Sequence, residues 1–379
     1  MYQYQQTNRY VAQLAGGLEA EGASELMELG ALSADPAWRA VYFEAEPSVL
    51  YRVNYRSRLA TRVLAPLLTF DCHSDKYLYR TARELSWADF LSVDQSFAVK
   101  ANVANSRISH SQFAALRLKD AIVDQFRERG GRRPNVDTRS PDVWFNLHID
   151  NNSAVISVDT SGGSLHRRGY RTESLLAPMQ ETVAAAVLRL AGWAGNGRLY
   201  DPMCGSGTLL AEALMLATST PAGFLRRRFG FERLPDFDQQ VWNREKESAD
   251  GSITETPAGL VSGSDIDGRA VAVARASLQN LPSGSRVVVK AADFRSLQAL
   301  ENTVIVCNPP YGLRMGAAGD MGAFYRSLGD FLKQKCHGCT AYIYFGEREW
   351  IKSVGLRTAF KKPLVSGALD GRLVKYELY

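Results

Sequence analysis

Two short stretches of the chain combine residue types that can do chemistry. One is Asn308-Pro309-Pro310-Tyr311. Two prolines after Asn308 fix the backbone and remove two N–H donors, which leaves local carbonyls as acceptors. The Asn308 side-chain oxygen and the Pro309 carbonyl can then both accept from one flat exocyclic NH₂ group. Tyr311 offers a ring face on which the base carrying that amine can stack. Such an amine is a poor nucleophile, because its lone pair is delocalised into the ring. Acceptors placed off the ring plane favour its pyramidal form and align it for in-line attack on a methyl group. They also stabilise the positive charge that develops on nitrogen. No general base of high pKa is needed.

The other stretch, Asp201-Pro202-Met203-Cys204-Gly205-Ser206-Gly207-Thr208, follows a short apolar strand and opens a helix rich in Leu and Ala. Gly205 and Gly207 permit a tight turn and close approach of a ligand to the backbone. Alone, such a turn suits a nucleotide, a dinucleotide or an adenosyl-type cofactor. It has neither the GxGxxG spacing of a dinucleotide site nor the GK[ST] of a phosphate-binding loop, which points to a cofactor without a pyrophosphate. A second strand, LVSGSDID, ends in Asp265, followed by Ile266. An acid at this tip commonly accepts from ribose hydroxyls, while Asp267 reads as the N-cap of the next helix. VVVKAADF gives a third strand leading to Asp293 and Phe294, where the carboxylate could meet an adenine amine. In one open parallel sheet these strand tips and Asn308 would share a crevice.

The chain has 379 residues, 45% hydrophobic and 22% charged, with a net charge of +5. This is expected of a soluble protein of two or three domains, and a mild basic excess permits a nucleic-acid partner without requiring one. Five cysteines argue for a reducing compartment and no run reaches membrane-span length, so a cytoplasmic location and no membrane partner are expected. Before residue 160, strands and helices alternate without a phosphate loop. A helix from Ser111 to Phe126, with Phe113, Leu116, Ala121 and Val123 on its apolar side, ends in RERGGRRP. From Arg107 to Arg133 seven Lys or Arg stand against three Asp or Glu. This band, with Arg117, Lys119, Arg129, Arg132 and Arg133, is either a grip on RNA phosphates or ordinary surface charge. Arg52, Arg56, Arg58 and Arg62 are expected along one helix. A boundary falls near Ser161-Gly162-Gly163, followed by a polar linker with His166, Arg167, Arg168 and Arg171. Residues 218–259 form a long insertion, whose aromatic residues are expected to anchor it and whose EKESADGSITETP stretch is expected to be a flexible tip. Cys336 and Cys339 have metal-like spacing but no second cysteine pair, so no metal is expected. The C-terminal residues read as a hairpin turning at Asp370-Gly371.

Taken together, DPMCGSGT, SDID, Asp293 and NPPYG resemble the cofactor and catalytic segments of class I S-adenosylmethionine-dependent methyltransferases. More specifically, with HSQFAALRLKDAIVDQFRERGGRRPNVD and SGGSLHRRGYR, nearly the whole chain is similar to the THUMP-containing RNA guanine-N2 methyltransferase family, including the bacterial 23S ribosomal RNA enzymes. The resemblance implies a Rossmann-like α/β methyltransferase sheet over 163–379. It also implies a ferredoxin-like α+β unit over 1–60 and a THUMP RNA-binding domain over 61–162. Asp201, Pro202, Cys204, Gly205, Gly207, Thr208, Asp265, Ile266, Asp293, Phe294 and Asn308 would hold S-adenosyl-L-methionine. Asn308, Pro309 and Tyr311 would hold the target base, and the Arg107–Arg133 band with Arg167 and Arg168 would contact RNA. The expected reaction is methylation of a guanine N2 in RNA, with ribosomal RNA the expected partner and no obligate protein partner. Transfer RNA, DNA adenine N6 and a protein glutamine amide are the alternative acceptors, and a nonenzymatic RNA-binding or assembly role is the alternative of another class.

Overall fold

The computed structural model describes residues 1–173, 179–310, 320–365 and 369–379. The chain divides into two compact units. Unit 1 comprises Met1–Leu14, Glu21–Leu165 and Arg226–Lys246, and unit 2 the remainder.

Unit 1 is built on one eight-stranded sheet. Its strands are β1 (Arg9–Gln13), β2 (Ser33–Ala37), β3 (Ala40–Glu44), β4 (Arg62–Asp71), β5 (Ser96–Ala104), β6 (Asn135–Val136), β7 (Val143–Asp150) and β8 (Ser153–Asp159), in the order β2-β3-β1-β4-β8-β7-β5-β6. The two spans expected to be ferredoxin-like and THUMP units therefore share a sheet, with β4 pairing with β1 on one side and β8 on the other. Asn151 and Asn152 both take positive φ in the β7–β8 hairpin, as its tight turn requires. Among the helices are α1 (Gln3–Thr7), α2 (Glu19–Glu28), α3 (Pro47–Arg56), α4 (Asp75–Ala82) and α5 (Ser111–Gly130). Only Arg52 and Arg56 of the expected arginine row lie on α3, since the helix ends at Arg56 and Arg62 begins β4. On α5 the buried face is Ala114, Leu118, Ala121, Ile122, Val123 and Phe126, whereas Phe113 and Leu116 are exposed.

The insertion joins unit 1. Gly230 lies so close to β8 that a Cβ there would collide with the Asp159 carbonyl oxygen, and Phe231 N–H donates to the Thr160 carbonyl at 2.7 Å. Phe229, Phe231 and Trp242 are buried against Tyr51 and Tyr55 of α3. The expected flexible tip is in part α8 (Gln239–Asp250), whose Glu245 accepts from Arg52 Nε at 2.8 Å and Nη2 at 2.9 Å. Within the span 163–379 expected for the catalytic domain, Arg226–Lys246 groups with unit 1.

Unit 2 carries α6 (Glu181–Leu190), α7 (Thr208–Ala217), α9 (Gly268–Gln279) and α10 (Met321–Lys335) around a seven-stranded sheet. Its strands are β9 (Leu199–Asp201), β10 (Val261–Asp265), β11 (Val288–Ala291), β12 (Val304–Cys307), β13 (Thr340–Phe345), β14 (Phe360–Pro363) and β15 (Arg372–Glu377), in the order β11-β10-β9-β12-β13-β15-β14. Strands β9 to β13 run parallel, and β15 is antiparallel to both β13 and β14. Successive strands leave β9 in opposite directions across the sheet, so a crevice opens where β9 and β12 part. Pro363 pairs with Arg372, so β14 and β15 are joined by a connection longer than the expected two-residue turn at Asp370-Gly371. Cys336 and Cys339 sit in the apolar cluster behind β12 and β13.

Phe231→Ala is expected to cost about 3–5 kcal/mol, the range for emptying a buried aromatic site. Urea denaturation followed by tryptophan fluorescence checks this, and a loss below about 1 kcal/mol would show that the insertion is only loosely attached.

Candidate active site

At the tips of β9, β10 and β12 lies a cavity of about 1080 Å³, formed within unit 2. Asp201, Pro202, Cys204, Gly205 and Thr208 line it from the glycine turn, Asp265 and Ile266 from the tip of β10, and Asp293, Phe294 and Asn308 from the next two strand ends. Gly207 lies behind this wall. With φ at +80° and the Ala274 Cβ 2.9 Å from where its own Cβ would stand, it lets α7 approach α9 and leaves no room for a side chain. Gly205 also has positive φ, and the space above it is open, as close ligand approach requires.

The turn is held by its acids. One Asp265 oxygen accepts from Gly205 N–H at 2.7 Å and the other from Asp267 N–H at 3.0 Å. Asp267 in turn caps α9 by accepting from Arg269 N–H at 2.9 Å. Asp201, 1% exposed, accepts from Met203 N–H at 3.0 Å. Burial pushes its carboxyl well above the ordinary range, and the Asp265 charge adds to the effect. Burial likewise pushes the Cys204 thiol up, so it stays protonated and is no nucleophile. Asp293 is paired with Arg295, which holds its carboxyl below the usual range, and it also caps Arg295 N–H.

Asn308 lines the cavity, and its Oδ1 is buried without a hydrogen-bond partner among the described residues. A buried acceptor left unpaired is costly, so this atom is set to receive a donor from a ligand. Pro309 is buried and Pro310 lines the cavity, while Tyr311 lies outside the described residues.

Several site features had no sequence signal. Arg171, read as a linker residue, donates to Glu181 at 2.7 Å, Ser206 Oγ at 3.2 Å and Thr208 Oγ1 at 2.9 Å, bracing the glycine turn from behind. The start of α10 supplies a further wall with Asp320, Ala323, Phe324 and Ser327. Arg168, expected to contact RNA, is 1% exposed and paired at 3.2 Å with the equally buried Glu212 of α7. The helix is apolar almost all round, so a buried glutamate on it requires this partner. Arg167 is exposed. In the α5 band, Arg117 pairs with Asp75, Lys119 with Asp120 and Arg132 with Asp94, leaving Arg107, Arg129 and Arg133 exposed and without ion pairs among the described residues.

A carboxyl whose folded-state pKa is raised contributes stability that is complete below its unfolded pKa and lost as pH rises through the folded value. Asp201→Asn keeps an acceptor for Met203 N–H and removes that loss. The variant is therefore expected to melt above the parent at pH 8, with the gap closing toward pH 4, while binding S-adenosylhomocysteine roughly tenfold less tightly. Scanning calorimetry at the two pH values checks the sign, and a variant less stable at pH 8 would contradict it.

Comparison with known proteins agrees with this geometry. Residues 168–375 match the RMKL-like methyltransferase domain, residues 72–159 the THUMP domain and residues 9–64 the RlmL ferredoxin-like domain. The Synechocystis protein slr0064, provisionally named an RNA methyltransferase, is 40% identical over 375 residues, covering 98% of this chain and 97% of its own. The ribosomal RNA large subunit methyltransferase K/L of Syntrophotalea carbinolica is 36% identical over 383 residues, covering 98% of this chain and 53% of its own. The chain thus spans about half the length of that K/L relative. The structure of SMU.472, complexed with SAH, is similar with a TM-score of 0.85 at 27% identity, covering 98% of each chain. A Listeria monocytogenes protein described as a predicted N6-adenine-specific DNA methylase is also similar, with a TM-score of 0.85 at 27% identity over 98% of this chain and 96% of its own. The chain belongs to the RMKL-like methyltransferase family, with a ferredoxin-like and a THUMP domain preceding its class I catalytic sheet.

Proposed function

We propose that this protein transfers a methyl group to the N2 amine of a guanine in RNA, with large-subunit ribosomal RNA as the substrate. The cofactor is S-adenosylmethionine, which when bound supplies a methyl group carried on a sulfonium. The Asn308 Oδ1 is the observation that carries the reading, because it stands in the cavity as an acceptor with no donor among the described residues.

Each wall of the cavity has a task. Gly205 leaves its backbone open to the cofactor, and Asp265 fixes that turn while retaining lone pairs for ribose hydroxyls. The buried Asp201 carboxylate, close to Asp265, favours a cationic ligand, since a positive charge relieves both the desolvation and the like-charge repulsion. Asn308 accepts from the incoming amine, holds its nitrogen in the pyramidal form and stabilises positive charge as it develops. No side chain need remove a proton before the attack, because the charged product amine is acidic enough to lose its proton to water afterwards.

The choice of RNA rests on the THUMP and ferredoxin-like domains and on the named activity of the K/L relatives. The Listeria protein keeps adenine N6 as the second reading, since Asn-Pro-Pro-Tyr suits any planar amine.

Asn308→Ala is expected to lower methyl transfer to unmodified large-subunit ribosomal RNA by at least about 10²–10³-fold, the usual cost of removing one preorganised charge-stabilising group. Its affinity for S-adenosylhomocysteine, read by calorimetry, should stay within roughly threefold of the parent, less than 1 kcal/mol. Turnover close to the parent rate would remove Asn308 from the mechanism.

A further inference from the structure

The expected RNA grip along α5 is partly offset. Arg117, Lys119, Arg127 and Arg132 each pair with an aspartate, which weakens the field that a polyanion would feel, and Arg107, Arg129 and Arg133 keep their charge. A different face of unit 1 retains its charge. The segment Arg226–Arg233 lies over the ends of β7 and β8, fixed by Gly230 against Asp159 and by Arg226, which donates to the Ser161 and Ser164 carbonyls at 2.9 Å. Arg226 and its neighbour Phe229 are thereby committed to holding the segment, with the guanidinium 5.5 Å from the ring centre.

The next two residues differ. Arg227 and Arg228 are exposed, and with Arg233 they have no ion pair among the described residues. The turn Gly230–Arg233 packs against β7 and β8, which sets Arg233 beside these strands. Asp142, just before β7, has its carboxyl held below the ordinary range first by hydrogen bonds from Ser96 and further by the charges of Arg233 and Arg228. Trp144 follows on β7, with Arg62 stacked at 5.1 Å over its ring. Arg62 is paired with the buried Asp159, and the exposed Lys100 of β5 stands opposite Asn146, two residues along β7 from Trp144 and on the same face of the sheet. Asp159 is taken up by Arg62 and Glu232 accepts from Phe229 N–H, while Asp142 offsets only part of the charge beside it, so Arg227 and Arg228 face solvent and Arg233 is half-buried next to them.

We propose that Arg227, Arg228 and Arg233, carried by a segment inserted between the first two strands of the methyltransferase sheet, bind the phosphates of substrate RNA, with Lys100 extending the same surface. The inference rests on the RNA reading above and adds where unit 1 holds the RNA. The insertion places these cations on the sheet that carries the THUMP domain, so the chain's catalytic half contributes to its own substrate-gripping unit.

The test compares binding of unmodified, in vitro transcribed 23S ribosomal RNA at two salt concentrations. Arg227→Glu/Arg228→Glu is expected to lose about tenfold or more in affinity and to lower the salt slope by roughly two, with Arg227→Gln/Arg228→Gln falling between it and the parent. Arg56→Glu/Lys76→Glu, an equal charge change at exposed positions elsewhere on unit 1, should stay within about threefold of the parent. Melting temperature and S-adenosylhomocysteine affinity should be unchanged in all three variants. If Arg227→Glu/Arg228→Glu binds the RNA as the parent does, or if the control loses as much, this surface is excluded while the RNA reading stands. If the parent itself binds RNA no better than duplex DNA of equal length, the RNA reading fails, and this inference with it.

Discussion

The hydrogen bond from Gly205 N–H to the Asp265 carboxylate, 2.7 Å long, is the contact on which the site depends. It joins the turn after β9 to the tip of β10, and the same carboxylate accepts from Asp267 N–H, which begins α9. One side chain thus fixes the glycine turn and the entry to α9, while the close approach of Gly207 to Ala274 fixes the spacing of α7 and α9. Such a charge-assisted bond is stronger than one between neutral groups, and here it orders backbone that must stay open to a ligand. Arg171 completes the arrangement from the other side by binding Ser206 and Thr208. The cavity is therefore preorganised, and among the described residues it leaves a buried carboxyl at Asp201 and an unpaired acceptor at Asn308. A cation answers the first and an amine donor the second.

Connectivity gives the molecule its second constraint. The chain leaves unit 1 after Leu165, completes β9 and α7, and then sends Arg226–Lys246 back into unit 1 before β10. Phe229, Phe231 and Trp242 make that return a core element, buried against Tyr51 and Tyr55. Neither unit can thus be cut out as one continuous piece of sequence. Removing residues 1–160 would expose these aromatic rings, so a truncation would not isolate RNA binding from folding.

The local chemistry of the site was legible in the sequence, because it is carried by short segments at strand ends. Gly205, Asp265 and Asn308 each stand at or just past the end of a short strand, and the parallel order of the sheet brings those ends together. The N-cap at Asp267 could likewise be read from its place just before an amphipathic helix. Long-range pairings were not legible. Nothing local distinguishes Arg168, buried on Glu212, from its exposed neighbour Arg167, since the partner is supplied by a helix 44 residues away. Nor did periodicity separate Phe113 and Leu116, which face solvent, from the core face of α5. The insertion was readable as anchored through its aromatics, but its attachment to the other unit depends on a backbone approach at Gly230 that composition does not encode.

The central claim is that Asn308 prepares a guanine amine in RNA for methylation, and nucleoside mass spectrometry tests it most directly. Unmodified large-subunit ribosomal RNA, incubated with the protein and S-adenosylmethionine carrying a deuterated methyl group, would be digested and its labelled nucleosides identified. The account predicts label in N2-methylguanosine, formed at least about 100-fold more slowly with Asn308→Ala. Label in N6-methyladenosine, in DNA or in a protein amide offered alongside, or equal labelling by the variant, would contradict it.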